Sequence, residues 1–206
     1  MGGRGGSYIA HSYQEDARSF FGVERANGMY QQWERSITPQ ERDALEAYAG
    51  DNIYGKINAA LRDDEVEFED IDPRLLRQIE SIDRAIAKFD LKKSVTVYRW
   101  STNDLVGGFN TAEAINKKLK GRYVQDEGFV STTAVRGQEF NGEIKYKIMV
   151  PRGKGRGAFI APLSEYEGES EFVINRGTYF KVNGATTNKR GEITVELLVV
   201  DKPKWR

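Results

Sequence analysis

The chain of 206 residues has no cysteine and a single histidine, His11. Lack of cysteine removes disulfides, thiolate catalysis and cysteine-ligated zinc, and leaves the redox compartment open. One histidine is too few for a multi-histidine metal site. It is also badly placed for a Ser-His-Asp triad, since it follows the glycine-rich MGGRGGSYIA, which reads as a mobile end. No metal is therefore expected. No apolar run approaches the length that spans a bilayer, and no charged-then-apolar leader ending in small residues is visible, so a soluble chain without a membrane partner is expected. Net charge is missing too. Lys plus Arg (31) balance Asp plus Glu (31), and nothing global points to nucleic acid. No G-x-G-x-x-G follows a strand pattern, so the usual strand-helix phosphate cradle is absent. Chemistry in this chain must rest on carboxylates, hydroxyls, arginines and aromatics.

What is present is an ordinary soluble balance, 39% hydrophobic and 30% charged, enough to bury a sizeable core. Its charge is uneven along the chain: DDEVEFEDID (63–72) is acidic throughout, whereas KYKIMVPRGKGR (145–156) carries only basic charges. Each reads most simply as a solvated surface segment.

Residues from about Ser12 to Phe89 have helical periodicity. Phe21, Tyr30, Trp33 and Ile37 form an aromatic-rich stripe, and TPQE supplies a helix start in which Thr38 caps, Pro39 takes the first position and Glu41 closes a capping box. Ile53, Ile57 and Leu61 line one face of the next helix. Leu75, Ile79, Ile82, Ile86 and Phe89 line another that starts near DPR. From SVTVYRW (94–100) onward the pattern is strand-like, with expected strands at GFVSTT (128–133), EIKYKIMV (143–150), AFIAPL (158–163), EFVIN (171–175), TYFKV (178–182) and EITVELLVV (192–200). A single helix interrupts at NTAEAINKKLKG. The expected fold class is α+β, a helical N-terminal lobe packed on a strand-rich body of two β-sheets. The expected organisation is a flexible stretch over 1–11 and one domain over 12–206, helical to about 92 and β-rich beyond.

Three polar motifs sit in the strand-rich half. Arg99 lies in VYRW, Ser131 in GFVSTT, and Glu169 and Glu171 in YEGESEFVI. In an extended strand Glu169 and Glu171 fall on one face, so two like charges stand together at the head of an apolar run. Singly, these motifs read as a surface ion pair, an edge strand and a solvated turn. In this order and spacing they resemble the arginine, serine, glutamate signature of mono-ADP-ribosyltransferases of the E-x-E, arginine-specific class. In the helical half, YQQWERSITPQERDALEAYAGDNIYGKINAALR and IESIDRAIAKFDLKKSVTVYRW are similar to the catalytic domain of binary-toxin enzymes that modify actin.

The resemblance implies a single ADP-ribosyltransferase domain with NAD as substrate, no metal, and a target protein with an accessible arginine, actin being the leading candidate. It implies Glu171 as the catalytic carboxylate, Glu169 as holder of the acceptor guanidinium, Ser131 as support for Glu171 and Arg99 as pyrophosphate ligand. Tyr54, Asn58 and Arg62 would reach the cofactor from the helical lobe and Phe140 would cover nicotinamide. Trp100, Gly128 and Thr132 complete the implied cofactor contacts, and Tyr166 would read the target. The implied setting is a monomeric toxin or effector, secreted or injected into a target-cell cytosol, or phage-encoded and cytoplasmic. An NAD glycohydrolase and an inactive binding module are the alternative readings.

Overall fold

The computed structural model describes residues 28–50, 53–135, 142–163 and 170–204. The helices come first. Helix α1 (Met29–Ser36) buries Tyr30 and Trp33, one turn apart, and ends where Ile37 turns extended but stays buried. Trp33 donates its indole N–H to the Ala85 carbonyl at 2.9 Å and meets the edge of Phe89 at 5.2 Å between centroids. That satisfies the polar end of a large apolar side chain. Helix α2 (Pro39–Ala49) starts on the expected capping box, with Thr38 and Glu41 exchanging side-chain and backbone hydrogen bonds, and stops at Gly50. Helix α3 (Tyr54–Arg62) buries Ile57 and Asn58, with Ile53 and Leu61 partly buried beside them. Helix α4 (Pro73–Lys88) is capped by Asp72 and turns Ile79, Ile82 and Ile86 fully inward.

The strand-rich half is a mixed sheet of eight strands with a two-stranded ribbon. Its strands are β1 (Asp90–Leu91), β2 (Val95–Ser101), β3 (Tyr123–Asp126), β4 (Val130–Thr133), β5 (Ile144–Val150), β6 (Gly153–Lys154), β7 (Gly157–Phe159), β8 (Glu171–Ile174), β9 (Thr178–Thr187) and β10 (Ile193–Val200), with helix α5 (Ala112–Leu119) between β2 and β3. The sheet order is β3-β9-β10-β5-β2-β4-β8-β7, and β1 pairs with β6. Strands β5 and β10 run parallel; every other pair is antiparallel.

The join between β2 and β4 matters most for the site. Seven residues of β2 pair with β5, yet only Tyr98 and Thr133 are in register between β2 and β4. Past that pair the strands part, so the sheet is two halves held at one point. Backbone groups on the facing edges need other partners there.

Some expected boundaries differ from the structure. AFIAPL does not continue as a strand: β7 ends at Phe159 and Ala161–Leu163 form a 3-10 turn around Pro162, which has no N–H for a ladder. Strand β9 runs to Thr187, five residues beyond the expected end, because NGATT keeps pairing with β10 across a bulge between Glu196 and Leu197. Strand β3 was not expected; it is a polar edge strand with no buried residue, so it lacks the apolar pattern that marks an inner strand. Among the described residues no helix is long and apolar enough to cross a membrane.

Candidate active site

Arg99, Ser131 and Glu171 belong to β2, β4 and β8, three consecutive strands across the parting of the sheet. All three are half-buried, while Phe172, Val173 and Ile174 beyond Glu171 are fully buried. Register sets the relation of the latter two. Ser131 pairs with Val173 and Thr133 with Glu171, so Ser131 and Glu171 are diagonal neighbours on one face of the β4–β8 pair. Diagonal neighbours lie about 7–8 Å apart at the backbone, within reach of a glutamate. Just before Glu171, Ser170 holds the left-handed backbone region with φ 48°, and its carbonyl accepts from Ala134 N–H. A non-glycine residue there is uncommon, and such conformations concentrate at functional sites.

Arg99 bridges the gap. Its guanidinium donates to the Ser131 carbonyl at 3.3 Å and to Ser101 Oγ at 3.2 Å. It thereby replaces the ladder bond that Ser131 lacks toward β2. Both partners are neutral, and among the described residues no carboxylate lies within ion-pairing distance of Arg99. Desolvation, then the nearby Arg62 cation, pull its pKa below the ordinary arginine value. Asp126, which Arg62 already pairs, offsets only part of this, so a guanidinium so placed can take an anion: among the described residues its charge has lost water without a direct carboxylate partner.

The helical half closes over the same place. Asn58 is buried and both ends of its amide are engaged: Oδ1 accepts from Phe129 N–H at 2.8 Å, and Nδ2 donates to the Tyr48 hydroxyl at 3.1 Å. Arg62 donates from Nε and one terminal nitrogen to Asp126 at 2.7 and 3.1 Å and reaches the Phe129 carbonyl at 3.3 Å. Asp126 also accepts from Gly128 N–H at 2.9 Å. Gly128 must lack a side chain, since a Cβ there would lie 2.8 Å from the Arg62 guanidinium and from Asn58 Oδ1. Tyr54 stands 49% exposed, with its ring edge-on to Tyr48 at 6.5 Å. It is the exposed aromatic of this wall, open to stacking.

The expected residues thus divide by position. Arg99, Ser131, Glu171, Asn58, Arg62, Gly128 and Tyr54 surround the parting of β2 and β4. Thr132 alternates to the other face, is buried, and donates its hydroxyl to the Phe172 carbonyl at 2.5 Å. Trp100 is half-buried and neighbours Lys145, whose ammonium sits 5.7 Å from its ring. Phe140, Tyr166 and Glu169 lie outside the described residues. Two site members were not foreseen. Nothing local in its helix reveals that the Tyr48 hydroxyl meets Ser131, 83 residues away. Asp126 sits on the unforeseen edge strand, and no motif singles it out.

A helical layer on a sheet that parts between an arginine strand and a serine strand, with a glutamate on the next, defines the ADP-ribosyltransferase fold. The chain belongs to the ADP-ribosyltransferase exoenzyme family, whose model matches residues 26–203. It is 29% identical over 171 residues to NAD(+)–arginine ADP-ribosyltransferase EFV of Enterococcus faecalis, a match covering 79% of this chain and 32% of that protein. It is 23% identical to mono-ADP-ribosyltransferase C3 of Hathewaya limosa, covering 90% and 81%. Among solved structures it is similar to Plx2a, an ADP-ribosyltransferase toxin from Paenibacillus larvae, with TM-score 0.77, 25% identity and coverage of 91% and 96%. The chain therefore spans about a third of the Enterococcus relative and most of the other two.

Proposed function

We propose that this chain transfers ADP-ribose from NAD to an arginine side chain of a target protein and releases nicotinamide. The observation that supports this most is Arg99, a half-buried guanidinium whose hydrogen-bond partners among the described residues are neutral, with the Arg62–Asp126 pair nearby. A pyrophosphate would give it a direct anionic partner, and the planar fork of Arg99 can pair two of its oxygens. In the reaction the bond from ribose C1′ to the nicotinamide nitrogen breaks, and nicotinamide leaves as a neutral molecule with the bonding pair. A guanidinium nitrogen forms the new bond to C1′ and gives up one proton. Glu171, on the ribose side, stabilises the oxocarbenium-like cation between these events. Ser131 supports Glu171, Tyr54 and Arg62 face the cofactor, and Phe140 covers nicotinamide.

Arginine is favoured as acceptor by the E-x-E pair: a guanidinium is cationic and a poor nucleophile, so an anion such as Glu169 must orient it and take its proton. The name of the Enterococcus relative also specifies arginine. None of the three relatives' names gives an acceptor protein. Actin is the leading candidate through the resemblance of the helical half to the binary-toxin enzymes, with Tyr166 reading its surface, and the chain acts as a monomeric toxin or effector.

The test is paired measurement on wild type and Glu169→Gln at equal NAD saturation, with nicotinamide release scored without acceptor and label transfer scored on actin and on a bacterial lysate. Transfer is expected to vanish while nicotinamide release persists. Equal loss of both activities would move Glu169 to the cofactor site. Release without transfer in the wild type would make the chain a glycohydrolase.

A further inference from the structure

Tyr48 is buried at the site, 2% exposed, and no step above uses its hydroxyl. We propose that Tyr48 is a positioning residue: its hydroxyl donates to Ser131 Oγ and so leaves the serine's own proton directed outward, toward the Glu171 carboxylate and the bound ribose. The inference rests on the functional reading above.

Its support is the direction of the hydrogen bonds. Phe129 N–H can only donate, so Asn58 Oδ1 is the acceptor and its amide orientation is fixed. Asn58 Nδ2 must then donate to the Tyr48 oxygen, at 3.1 Å. That occupies the phenol as acceptor and leaves its one proton to place. Two acceptors are in range, Ser131 Oγ at 3.2 Å and the Phe129 carbonyl at 3.5 Å. The serine is nearer, and the carbonyl already accepts from Arg62. With Tyr48 donating to it, Ser131 has no call to turn its proton inward. Glu171 is the diagonal neighbour on the same face of the β4–β8 pair. Burial pushes the Tyr48 pKa up, further than the Ser131 and Asn58 hydrogen bonds pull it down, so the phenol keeps its proton. The ordered path is Phe129 N–H to Asn58, Asn58 to Tyr48, Tyr48 to Ser131, and Ser131 to the site. It couples the helical half to the catalytic strand through a chain of buried hydrogen bonds.

The experiment is a double-mutant cycle of Tyr48→Phe and Ser131→Ala, with nicotinamide release measured over a range of NAD concentrations and wild type and Glu171→Gln as controls. Tyr48→Phe is expected to lower kcat about three- to ten-fold, the size of one lost hydrogen bond, with KM for NAD nearly unchanged. In the Ser131→Ala background the same change is expected to have almost no effect. Equal loss in both backgrounds overturns the coupling to Ser131. Raised kcat in Tyr48→Phe shows Ser131 donating inward, and overturns the direction. Where Tyr48→Phe does not fold, 3-fluorotyrosine at position 48 keeps the shape and strengthens the donor. A change in kcat that disappears with Ser131→Ala supports the role, and no change overturns it. A wild type that releases no nicotinamide withdraws the functional reading, whereas an active wild type beside an unaffected Tyr48→Phe overturns the positioning role alone.

Discussion

Two charged side chains of this protein, the buried Glu41 and the half-buried Arg99, are treated in opposite ways. Glu41, in the helical half, is 3% exposed and fully provided for. It accepts from Thr38 N–H at 2.8 Å and from Lys88 Nζ at 2.6 Å, with Arg84 Nε at 3.8 Å. Burial alone would raise its pKa, but the bonds from Lys88 and Thr38, with the charges of Lys88 and Arg84, leave it lowered. Arg99, at the parting of β2 and β4, has a carbonyl, a hydroxyl and a neighbouring cation. The first arrangement fastens α2 to α4 and the end of α1, since Lys88 also donates to the Ser36 carbonyl. The second leaves a charge with no direct carboxylate partner among the described residues. A buried charge with its counter-ions belongs to the scaffold, and one without them belongs to the site.

Removing the catalytic charge should break this contrast most visibly. Glu171→Gln is expected to lower nicotinamide release and transfer by about 100- to 1,000-fold, the usual scale for deleting one charge-stabilising group. Its melting temperature should stay near wild type, because Glu171 is half-buried and glutamine keeps its shape and hydrogen-bonding atoms while removing the charge. Differential scanning calorimetry beside a nicotinamide assay checks both. Near-wild-type turnover would remove Glu171 from the chemistry.

The matching change in the scaffold is Glu41→Ala. It removes the carboxylate that Lys88 and Arg84 share and opens the capping box, for a stability loss of about 2–4 kcal/mol, discounted because both cations keep some solvent and Arg84 also pairs with Glu80. Urea unfolding should register it, while kcat per folded molecule stays close to wild type. A large fall in kcat at full folding would mean that the two regions are not separate.

Arg99→Ala sharpens the contrast from the other side. NAD affinity by calorimetry should weaken by about 1.5–3 kcal/mol, with the stability of the free protein unchanged or slightly raised. Strong destabilisation without loss of NAD affinity would place Arg99 with Glu41 in the scaffold.

The smallest expected effect is on pH dependence. The folded-state pKa of Glu41 is lowered from an ordinary value of 4.5, so its contribution is fully present above about pH 5 and is lost as pH falls through the folded value. Wild type should lose stability below about pH 4.5 more steeply than Glu41→Gln, in urea titrations at a series of pH values. Parallel curves would show that Glu41 is not the group responsible.

Local pattern was enough for much of this. The capping box of Thr38 and Glu41, the isoleucine face of α4, the alternation in β5 and the β-branched and aromatic runs of β2 and β8 are all short-range features, because propensity and periodicity act over a few residues. The order arginine, serine-threonine, E-x-E also lay in the sequence, and so did the family. Other features needed the chain to be folded. That β2 and β4 share one register pair, so that Arg99 spans a gap, follows from how two half-sheets twist against each other. The unforeseen strand β3, and with it Asp126 beside Arg62, has too little buried surface to leave an apolar signature. Whether a tyrosine is core or site depends on where its hydroxyl points, and for Tyr48 that is decided by a serine 83 residues away. Sequence alone determined which groups could do the chemistry. Only tertiary structure decided which of them are already satisfied, because desolvation and hydrogen-bond partners are properties of the packed chain.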